Sequence, residues 1–351
     1  MQENSPSAAS VTATAPCRVD LAGGTLDIWP LYLFHSGAVT VNFAVSVLTR
    51  CHIAKVPGSR IELRSLDTGK SDSFSSVDEL CSAKKFSHPL AANLVRFFAP
   101  QGGFTLETHS ESPAGAGISG SSALMVATTA ALASFTGRQL SLEEVRVIAQ
   151  NVEAQLIRVP TGCQDYYPAL YGGVSAIHLE ADGIHRQAIT VAAEELDSRF
   201  VLAYTGAPRQ SGINNWKVFQ AHINGDKKVF RNFEQIAAIA RAVHEALSNA
   251  DWDEVAKLLR AEWKLRKTNA PRISTPLIER LIKAATKNGA QAAKVCGAGG
   301  GGCVAFVTEP DSKQRVEASI REAGGTILPC HVAREGLALS GSHALPQLAS
   351  N

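Results

Sequence analysis

Alternating apolar and polar positions predict strands in the first half of the chain. The alternation is clearest where five apolar residues fall at every second position: Val39, Val41, Phe43, Val45 and Val47. That period of two is typical of a strand. Further strands are predicted at 51–56 and 60–65, on either side of the Pro57-Gly58 turn, and at 104–109. The small, polar residues from 1 to about 13 are expected to be frayed.

Helical spacing and capping signals predict a set of helices. Residues 121–135 are rich in Ala, Leu, Met and Val without Pro or Gly, which indicates a buried helix. Ser141-Leu-Glu-Glu has the form of a capping box, so a helix is expected from there to about Ile157. Other predicted helices lie at 88–98, 214–224, 229–248, 252–267 and 275–288.

Later strands are predicted at 174–179, 200–204 and 327–332, with strand-like flanks around the glycines at 297–302. Strands and helices mix without strict βαβ alternation, so the predicted fold class is α+β with mostly antiparallel sheets. At 351 residues the chain is long for one core. Two domains are expected, at 10–192 and 193–340, with tails at 1–9 and 341–351; the residues from Ser340 onward resemble a tail.

Composition and charge exclude several classes of protein. Apolar residues make up 45% and charged residues 19%, and the mean hydropathy is +0.00, a normal globular balance. A formal net charge of +2 is too small to indicate nucleic acid or an anionic membrane as a partner. No apolar run is long enough for a membrane span, and the N-terminus lacks signal-peptide features. The seven cysteines are scattered and form no C-x-x-C pair, so a reducing cytoplasm is expected.

Three glycine-bearing segments, at 23–27, 113–123 and 297–302, carry the candidate chemistry. The middle one lies between a predicted strand and a predicted helix, where free backbone N–H groups and a helix dipole favour an anion. The alternative is a flexible turn that merely starts a helix. Its glycines formally match the dinucleotide fingerprint, but they follow Ser112-Pro-Ala instead of a hydrophobic strand. No lysine follows them, which excludes a Walker A loop.

In order and spacing, the three segments resemble the three motifs of the GHMP kinases. Ala15-Pro-Cys-Arg-Val-Asp-Leu-Ala-Gly-Gly-Thr-Leu-Asp is similar to the first motif of the sugar-kinase branch. Pro113-Ala-Gly-Ala-Gly-Ile-Ser-Gly-Ser-Ser resembles the ATP-phosphate loop, and 294–303 resembles the third motif. The resemblance covers residues 14 to about 335. Within the family, it is strongest to heptose-phosphate kinases and next to the kinase part of fucokinase. It implies an N-terminal ribosomal-S5-like domain and a C-terminal ferredoxin-like domain.

The resemblance implies roles for individual residues. Asp165 matches the aspartate beside the acceptor hydroxyl, and Arg18 matches the basic residue that pairs with it. Glu153 and Ser121 match the Mg²⁺ ligands. The ATP-binding residues it implies are Pro113, Gly115, Ala116, Gly117, Ile118, Ser119, Gly120, Ser121 and Ser122. The substrate-binding residues it implies are Asp27, Gly24, Thr25, Gly299 and Gly300.

Each charged residue also has an ordinary structural interpretation. Arg18 would be a surface charge at a strand end, and Glu153 would lie on a solvated helix face. Asp165 and Asp27 would be aspartates of turns.

The sequence departs from the family pattern at several positions. Ser119-Gly120 stands where many relatives have Gly-Ser, which leaves open which serine binds the metal. Gly24 and Thr25 replace the Glu-His of galactokinases, so galactose is disfavoured. Cys163 replaces a lysine that would meet a substrate phosphate, so an unphosphorylated sugar is about as well supported as a sugar phosphate. Candidate replacement cations are Arg209, Lys217 and Arg334.

The function predicted on this basis is ATP- and Mg²⁺-dependent phosphorylation of a hydroxyl on a sugar or sugar phosphate. The enzyme would be cytoplasmic, a monomer or homodimer, with no nucleic acid or membrane partner. Two alternatives remain: a mevalonate-pathway or homoserine-type kinase of the same family, and a non-catalytic sensor of sugar and ATP. A sensor would be expected to lose Asp165 or Glu153, and both are present.

Overall fold

A computed structural model describes residues 10–208 and 213–341. Strands and helices follow one another in a mixed order. The strands are β1 (Ser10–Ala22), β2 (Val39–Val56), β3 (Ile61–Ser65), β4 (Ser71–Phe74), β5 (Gly103–Ser110), β6 (Val174–Leu179), β7 (Ile184–Ala188), β8 (Phe200–Tyr204), β9 (Ala290–Val295), β10 (Cys303–Thr308), β11 (Thr326–Leu328) and β12 (Ala338–Gly341). The helices are α1 (Val77–Ser82), α2 (Pro89–Phe98), α3 (Gly120–Phe135), α4 (Leu142–Ile157), α5 (Tyr166–Tyr171), α6 (Ala193–Arg199), α7 (Ile213–Ile223), α8 (Lys227–Ser248), α9 (Trp252–Asn269), α10 (Pro276–Lys287) and α11 (Lys313–Glu322).

The strands form two sheets. The larger sheet has the order β12-β1-β2-β5-β3-β4, and β6 joins β2 and carries β7. The smaller sheet has the order β11-β8-β10-β9. Among the pairs of the described strands, β3 with β5 is parallel and the others are antiparallel. This arrangement confirms the predicted two-domain α+β fold with mostly antiparallel sheets.

Helix α3 is the central helix of the larger sheet's core. It packs on β1 and β2 and carries no charged residue, and nearly all of its residues from Ser122 to Ser134 are buried. Since every face of the helix is covered, its first turn is held rigidly at one end of the larger sheet. The loop before it therefore has a fixed position.

The two sheets share one core. Phe43 of β2 packs edge-on against Phe200 of β8, with ring centroids 5.1 Å apart. Val45 forms a β-bridge with Val332, and α8, which packs on β2, also packs against α9, which packs on β9. Buried aromatic and aliphatic contacts of this kind supply the main force that holds the halves together.

The predicted frayed N-terminus is wrong from Ser10 onward. Residues 10–15 belong to β1, in which Val11, Ala13 and Ala15 are fully buried between small polar neighbours. The segment pairs with β2 on one side and with β12 on the other. Its alternation is that of a strand, but alanine, serine and threonine are small, so their side chains differ little in polarity and the alternation is weak.

The two predicted strands between 39 and 56 are one strand, β2. Its pairing with β1 shifts register twice. One shift lies between Asp20 and Ala22; at the other, Leu48 faces Pro16 whereas Val45 faces Cys17. The two extra residues of β2 form a bulge beside a proline that has no N–H to donate. The irregular pattern beside Pro16 is therefore a bulge within β2, and the strand continues through it.

The C-terminal prediction also needs correction. The strand expected at 327–332 ends at Leu328, before Pro329. The prediction of a tail from Ser340 onward is wrong for its first residues, since Ser340 belongs to β12 and pairs with Thr12 of β1. The last described strand thus returns to the larger sheet.

Short elements and one longer helix were not predicted from the sequence. They are α1, α5, α6, α11, β4, β7 and β12. Within 10–208 and 213–341, no helix is both long and apolar enough to span a membrane.

Candidate active site

Strand β1 carries Arg18 and Asp20 into a cleft of about 440 Å³. Both side chains are buried, and they lie two residues apart, so they point to the same face of the strand. The cleft continues along the loop before α3 and past the turn that follows β1. Its size is typical of a small-molecule site.

Arg18 and Asp165 form an ion pair at the middle of the cleft. Nη2 and Nε of Arg18 donate to the same Asp165 Oδ1, at 2.5 and 2.9 Å. Burial would lower the pKa of Arg18, but the carboxylates of Asp165 and Asp20 outweigh it and raise that pKa. Asp165 occupies the N-cap position of α5 without capping it. The interpretation of Arg18 as a surface charge is therefore wrong. Asp165 does lie in the turn before α5, but its side chain pairs with Arg18 and does not cap that helix.

Arg18 also joins this pair to the glycine-rich loop. Its Nη1 donates to the carbonyl of Gly117 at 2.9 Å, and its backbone N–H donates to Ile118 at 3.0 Å. One arginine thus contacts both the candidate base and the candidate phosphate loop. Ile118 is buried and is absent from the cleft lining. Its carbonyl braces β1, so a direct ATP contact by its side chain is not supported.

The loop presents the open end of a helix to the cleft. The lining includes most of the predicted ATP-binding residues: Pro113, Gly115, Ala116, Gly117, Ser119, Gly120, Ser121 and Ser122. The first N–H groups of a helix have no partner within it. Ser119, at the N-cap of α3, makes no side-chain hydrogen bond to that first turn. The backbone donors and the helix dipole therefore favour an anion at this point.

Ser119 and Gly120 are constrained in different ways, Ser119 by its backbone conformation and Gly120 by the space around it. Ser119 has a left-handed backbone (φ 61°), and its hydroxyl donates to the carbonyl of Ile118 at 2.7 Å. A Cβ on Gly120 would lie 2.7 Å from Cβ of Ser112. Glycine at 120 is thus required by close packing, whereas the serine at 119 bears the backbone strain.

Glu153 of α4 lies against the same helix start. It is 6% exposed, and the hydroxyl of Tyr166 donates to its Oε2 at 2.6 Å. The side chains of Ser121 and Ser122 also hydrogen-bond with it. Burial raises the pKa of Glu153 despite these bonds. Glu153 is therefore not on a solvated helix face; it is a buried carboxylate beside three hydroxyls.

Asp27 lies at one end of the cleft, in the turn after β1. Its Oδ2 accepts the backbone N–H of Gln164 at 2.9 Å. A Cβ on Gly162 would lie 1.9 Å from that same oxygen, so only glycine allows this approach. Burial, followed by repulsion from Asp165, raises the pKa of Asp27 to about 7.

Gly24 and Thr25 line the cleft beside Asp27. Thr25 has φ 83°, which is rare for a β-branched residue. Its hydroxyl donates to Oδ1 of Asn215 on α7 at 3.3 Å. Strained residues of this kind are typical of binding sites.

Two of the predicted substrate-binding residues lie elsewhere. Gly300 donates its N–H to the carbonyl of Ile273 at 2.8 Å, and a Cβ on Gly299 would overlap Ile273. Neither glycine lines the cleft, whereas Gly297 and Ala298 do. The placement of the third motif therefore disfavours substrate contacts by Gly299 and Gly300, because these glycines pack against the chain.

The third motif also braces the phosphate loop. The N–H of Cys303 donates to the carbonyl of Ala116 at 2.6 Å. A Cβ on Gly302 would lie 2.6 Å from the same carbonyl.

A buried ionic cluster in the wall of the cleft was missed by sequence reasoning. It comprises Asp20, Glu262, Arg266 and Lys294. Lys294 Nζ donates to Glu262 Oε1 at 2.9 Å and to Asp20 Oδ1 at 3.4 Å. Arg266 Nη1 donates to Asp20 Oδ2 at 3.1 Å. The available signal was an i, i+4 pair of opposite charges on a helix face that also carries Leu259 and Trp263.

The cations predicted to replace the missing lysine do not line the cleft in the part of the chain described. Arg209 lies outside the described residues. Lys217 is exposed on α7 and is absent from the lining. Arg334 pairs with Glu194 away from the cleft. Cys163, where relatives carry the lysine, is fully buried.

Comparison with known proteins places this architecture in a family. Residues 83–173 match the model of the GHMP kinases N terminal domain, and residues 243–326 match that of the GHMP kinases C terminal domain.

Individual relatives agree with the family match. The chain is 28% identical over 342 residues to D-glycero-alpha-D-manno-heptose 7-phosphate kinase of Campylobacter jejuni, covering 93% of this chain and 98% of that one. It is 26% identical to the L-fucokinase/L-fucose-1-P guanylyltransferase of Bacteroides fragilis, covering 89% of this chain and 36% of that longer protein.

A solved structure shows the same fold. It is a D-glycero-D-manno-heptose 1-phosphate kinase from Bacteroides thetaiotaomicron, with a TM-score of 0.76 and 24% identity, covering 94% of this chain and 98% of that one. The matches to the two family models show that the chain belongs to the GHMP kinases.

Proposed function

We propose that this protein is a phosphotransferase that moves the γ-phosphoryl group of ATP to a hydroxyl of a sugar or sugar phosphate. The observation that carries the proposal is the contact of Arg18 with both Asp165 and the carbonyl of Gly117. It connects a carboxylate suited to a hydroxyl with a loop suited to a triphosphate. ATP is the co-substrate of the GHMP kinases, and the open start of α3 provides the donors for its phosphates.

Asp165 accepts the proton of the acceptor hydroxyl, or orients it, while the hydroxyl oxygen attacks the γ-phosphorus. The new O–P bond forms as the bond to the bridging oxygen of ADP breaks. Arg18 remains charged, since its guanidinium does not deprotonate. It orients Asp165 and offers positive charge where negative charge develops on the transferring group.

Mg²⁺ fits the oxygen donors around Glu153. A buried carboxylate that hydrogen-bonds with the hydroxyls of Ser121 and Ser122 has the ligand chemistry that magnesium prefers. Burial raises the pKa of Glu153, and a divalent cation would offset that cost of ionisation. Either Ser121 or Ser122 would supply the hydroxyl. When bound, the ion neutralises phosphate charge.

The acceptor end of the cleft supports a polyhydroxylated substrate. Asp27, Thr25 and Asn215 place a carboxylate, a hydroxyl and an amide around one volume. The similarity to a heptose 7-phosphate kinase over nearly the whole chain favours a sugar phosphate. The small net charge of +2 accords with a small-molecule partner and no nucleic acid. The proposal includes a cytoplasmic location and a monomer or homodimer, with domains at 10–192 and 193–340.

An ADP-release screen tests this function. The protein is assayed with ATP and hexoses, heptoses and their phosphates, with and without Mg²⁺. Turnover is expected with a sugar or sugar phosphate and only when Mg²⁺ is present. Turnover restricted to an isoprenoid precursor or to homoserine would contradict the sugar class. ATP and sugar binding without any turnover would identify a sensor.

A further inference from the structure

Arg266 of α9 is a buried cation at the acceptor end of the cleft. It is 5% exposed and lines the cleft beside Asp20 and Gly297. Three arginines and lysines appear among the described lining residues: Arg18, Lys70 and Arg266. Arg18 is engaged by Asp165, and Lys70 is exposed at the far end of β3.

The strand order separates Arg266 from that far end. Its partner Asp20 is on β1, and two strands, β2 and β5, lie between β1 and β3. At about 4.8 Å per strand, β1 and β3 are roughly 14 Å apart. Asp20 Oδ2, which Arg266 contacts, would lie 2.8 Å from a Cβ on Gly24. Arg266 therefore lies close to the turn that carries Gly24 and Asp27, at the end assigned to the acceptor.

Arg266 is fixed before any ligand arrives. Nη1 donates to Asp20 at 3.1 Å, and Nη2 donates to the carbonyl of Gly297 at 2.6 Å. These partners are on β1 and at the end of β9, so two rigid elements orient the guanidinium. A guanidinium has five N–H donors in a planar fork. The contacts with Asp20 and Gly297 use two of them, and a fork of this shape suits bidentate contact with a phosphate.

The negative charge around Arg266 is shared with a second cation. Asp20 also contacts Lys294 at 3.4 Å, and Glu262 lies closer to Lys294 (2.9 Å) than to Arg266 (3.9 Å). Burial opposes ionisation of Asp20, but Lys294 and Arg266 outweigh it and lower its pKa. Two carboxylates thus serve two cations, and the cluster has no excess negative charge that would repel an anion.

Resting on the proposed function, we propose that Arg266 binds a phosphoryl group in the cleft. The group is either the phosphate that the acceptor already carries or the γ-phosphoryl group of ATP. Arg266 would then provide the cation that Cys163 does not. If the group is the acceptor's own phosphate, Arg266 determines specificity, because that contact distinguishes a sugar phosphate from the free sugar.

Steady-state kinetics of Arg266→Gln and Arg266→Lys test this proposal. Each variant is assayed with a sugar phosphate and with its unphosphorylated counterpart, and the affinities for ATP and ADP are measured in parallel. The matched control is Lys267→Gln, since Lys267 is the next residue of α9, is partly exposed, does not line the cleft, and pairs with Glu279 at 3.4 Å.

If the acceptor's phosphate is the ligand, Arg266→Gln raises KM for the sugar phosphate about 10- to 100-fold, the range of a lost charge-assisted contact. KM for the free sugar and the affinity for ATP then stay within about threefold. If the γ-phosphoryl group is the ligand, the affinity for ATP falls by a similar factor while that for ADP is unchanged. Arg266→Lys changes the same parameter by a smaller factor, because lysine keeps the positive charge but lacks the planar fork of donors.

Equal losses for the phosphorylated and free sugars, with ATP and ADP weakened alike, would overturn the proposal and leave Arg266 a structural role. If Arg266→Gln does not fold, Arg266→Lys carries the same comparison. If the wild-type protein turns over no acceptor, the proposed function fails separately. Calorimetric titration of wild type and Arg266→Lys with a hexose phosphate, the free hexose, ATP and ADP then decides the question. An unchanged affinity for both the hexose phosphate and ATP would reject a phosphoryl site.

Discussion

Burial acts differently on each carboxylate of the site. Asp27 and Glu153 have raised pKa values, because burial is the largest influence on each. Asp20 has a lowered pKa, because two cations outweigh the same burial. The partners that the fold supplies therefore decide which of these groups is readily ionised at neutral pH.

Asp27 gives a pH-dependent prediction. Since its pKa is about 7, Asp27 becomes protonated as the pH falls below 7. The neutral side chain no longer offers a sugar hydroxyl a charged oxygen as hydrogen-bond acceptor. The expected result is that kcat/KM for the acceptor falls, by about tenfold or more, as the pH drops through 7. The measurement is a pH profile of kcat/KM at saturating ATP.

Asp27→Asn is the matched control for this profile. The amide is neutral at every pH, so the variant should show the low value of the wild type without the inflection near pH 7. An inflection that persists in Asp27→Asn would assign the titration to another group.

At the scale of elements, the junction of the phosphate loop with α3 depends on close packing. Ser112 lies directly against Gly120, the first residue of the helix. The sequence predicted both the loop and the helix, since glycines between a strand and an apolar run are a local signal. It could not show that the backbone approaches Ser112 closely at Gly120, or that Ser119 has a left-handed conformation. Both depend on the path of the loop after β5.

Gly120→Ala tests this junction. The added Cβ would lie 2.7 Å from Cβ of Ser112, so the loop must move away from the helix start. Overpacking of this kind costs about 1–3 kcal/mol. We expect a lower free energy of unfolding and at least about tenfold weaker ATP binding, measured by denaturant titration and calorimetry.

Gly137→Ala, after the other end of α3, serves as the comparison variant. Gly137 has φ 72° with open space around it, so alanine strains the backbone by about 1–2 kcal/mol without touching the loop. ATP affinity should be unchanged there. Equal ATP affinity in both variants would refute the role given to the junction.

On the scale of the whole molecule, the buried ionic cluster joins the two halves at the wall of the cleft. Asp20 comes from the larger sheet, Lys294 from the smaller one, and Glu262 from α9. Glu262 also accepts the backbone N–H of Gly23, at the start of the turn that positions Asp27. The cluster therefore sets the first and third motifs relative to each other.

Lys294→Met tests how much the ionic cluster contributes to stability. It leaves Arg266 as the one remaining cation of the cluster for Asp20 and Glu262. Removal of one member of a buried ion pair costs about 3–5 kcal/mol. Lys257→Met is the control, because Lys257 forms an exposed pair with Glu254 and should cost less than about 1 kcal/mol. Urea unfolding of both variants measures the difference. Similar losses of stability would show that the cluster contributes no more than a surface pair.

Features of the fold and site that depend on local sequence patterns could be predicted, and features that depend on contacts between distant residues could not. The helices α7 to α10 and the residues Arg18, Asp165 and Asp27 were accessible, since periodicity is local and the motifs are contiguous. Strand β12 and the cluster around Lys294 were not, because each depends on contacts across most of the chain. Arg266 is an example, as it lies 246 positions from its partner Asp20.

The central claim is that the cleft transfers phosphate to an acceptor hydroxyl with Asp165 at the reacting group. The most direct measurement is the phosphorylated product formed by wild type and Asp165→Asn, followed by ³¹P NMR with the best acceptor and Mg²⁺, together with their ATP affinities. The account predicts a new phosphate ester with the wild type, a rate about 10²- to 10⁴-fold lower with Asp165→Asn, and ATP affinity within about twofold. Near-wild-type turnover by Asp165→Asn, or ADP formation without a phosphorylated acceptor, would contradict it.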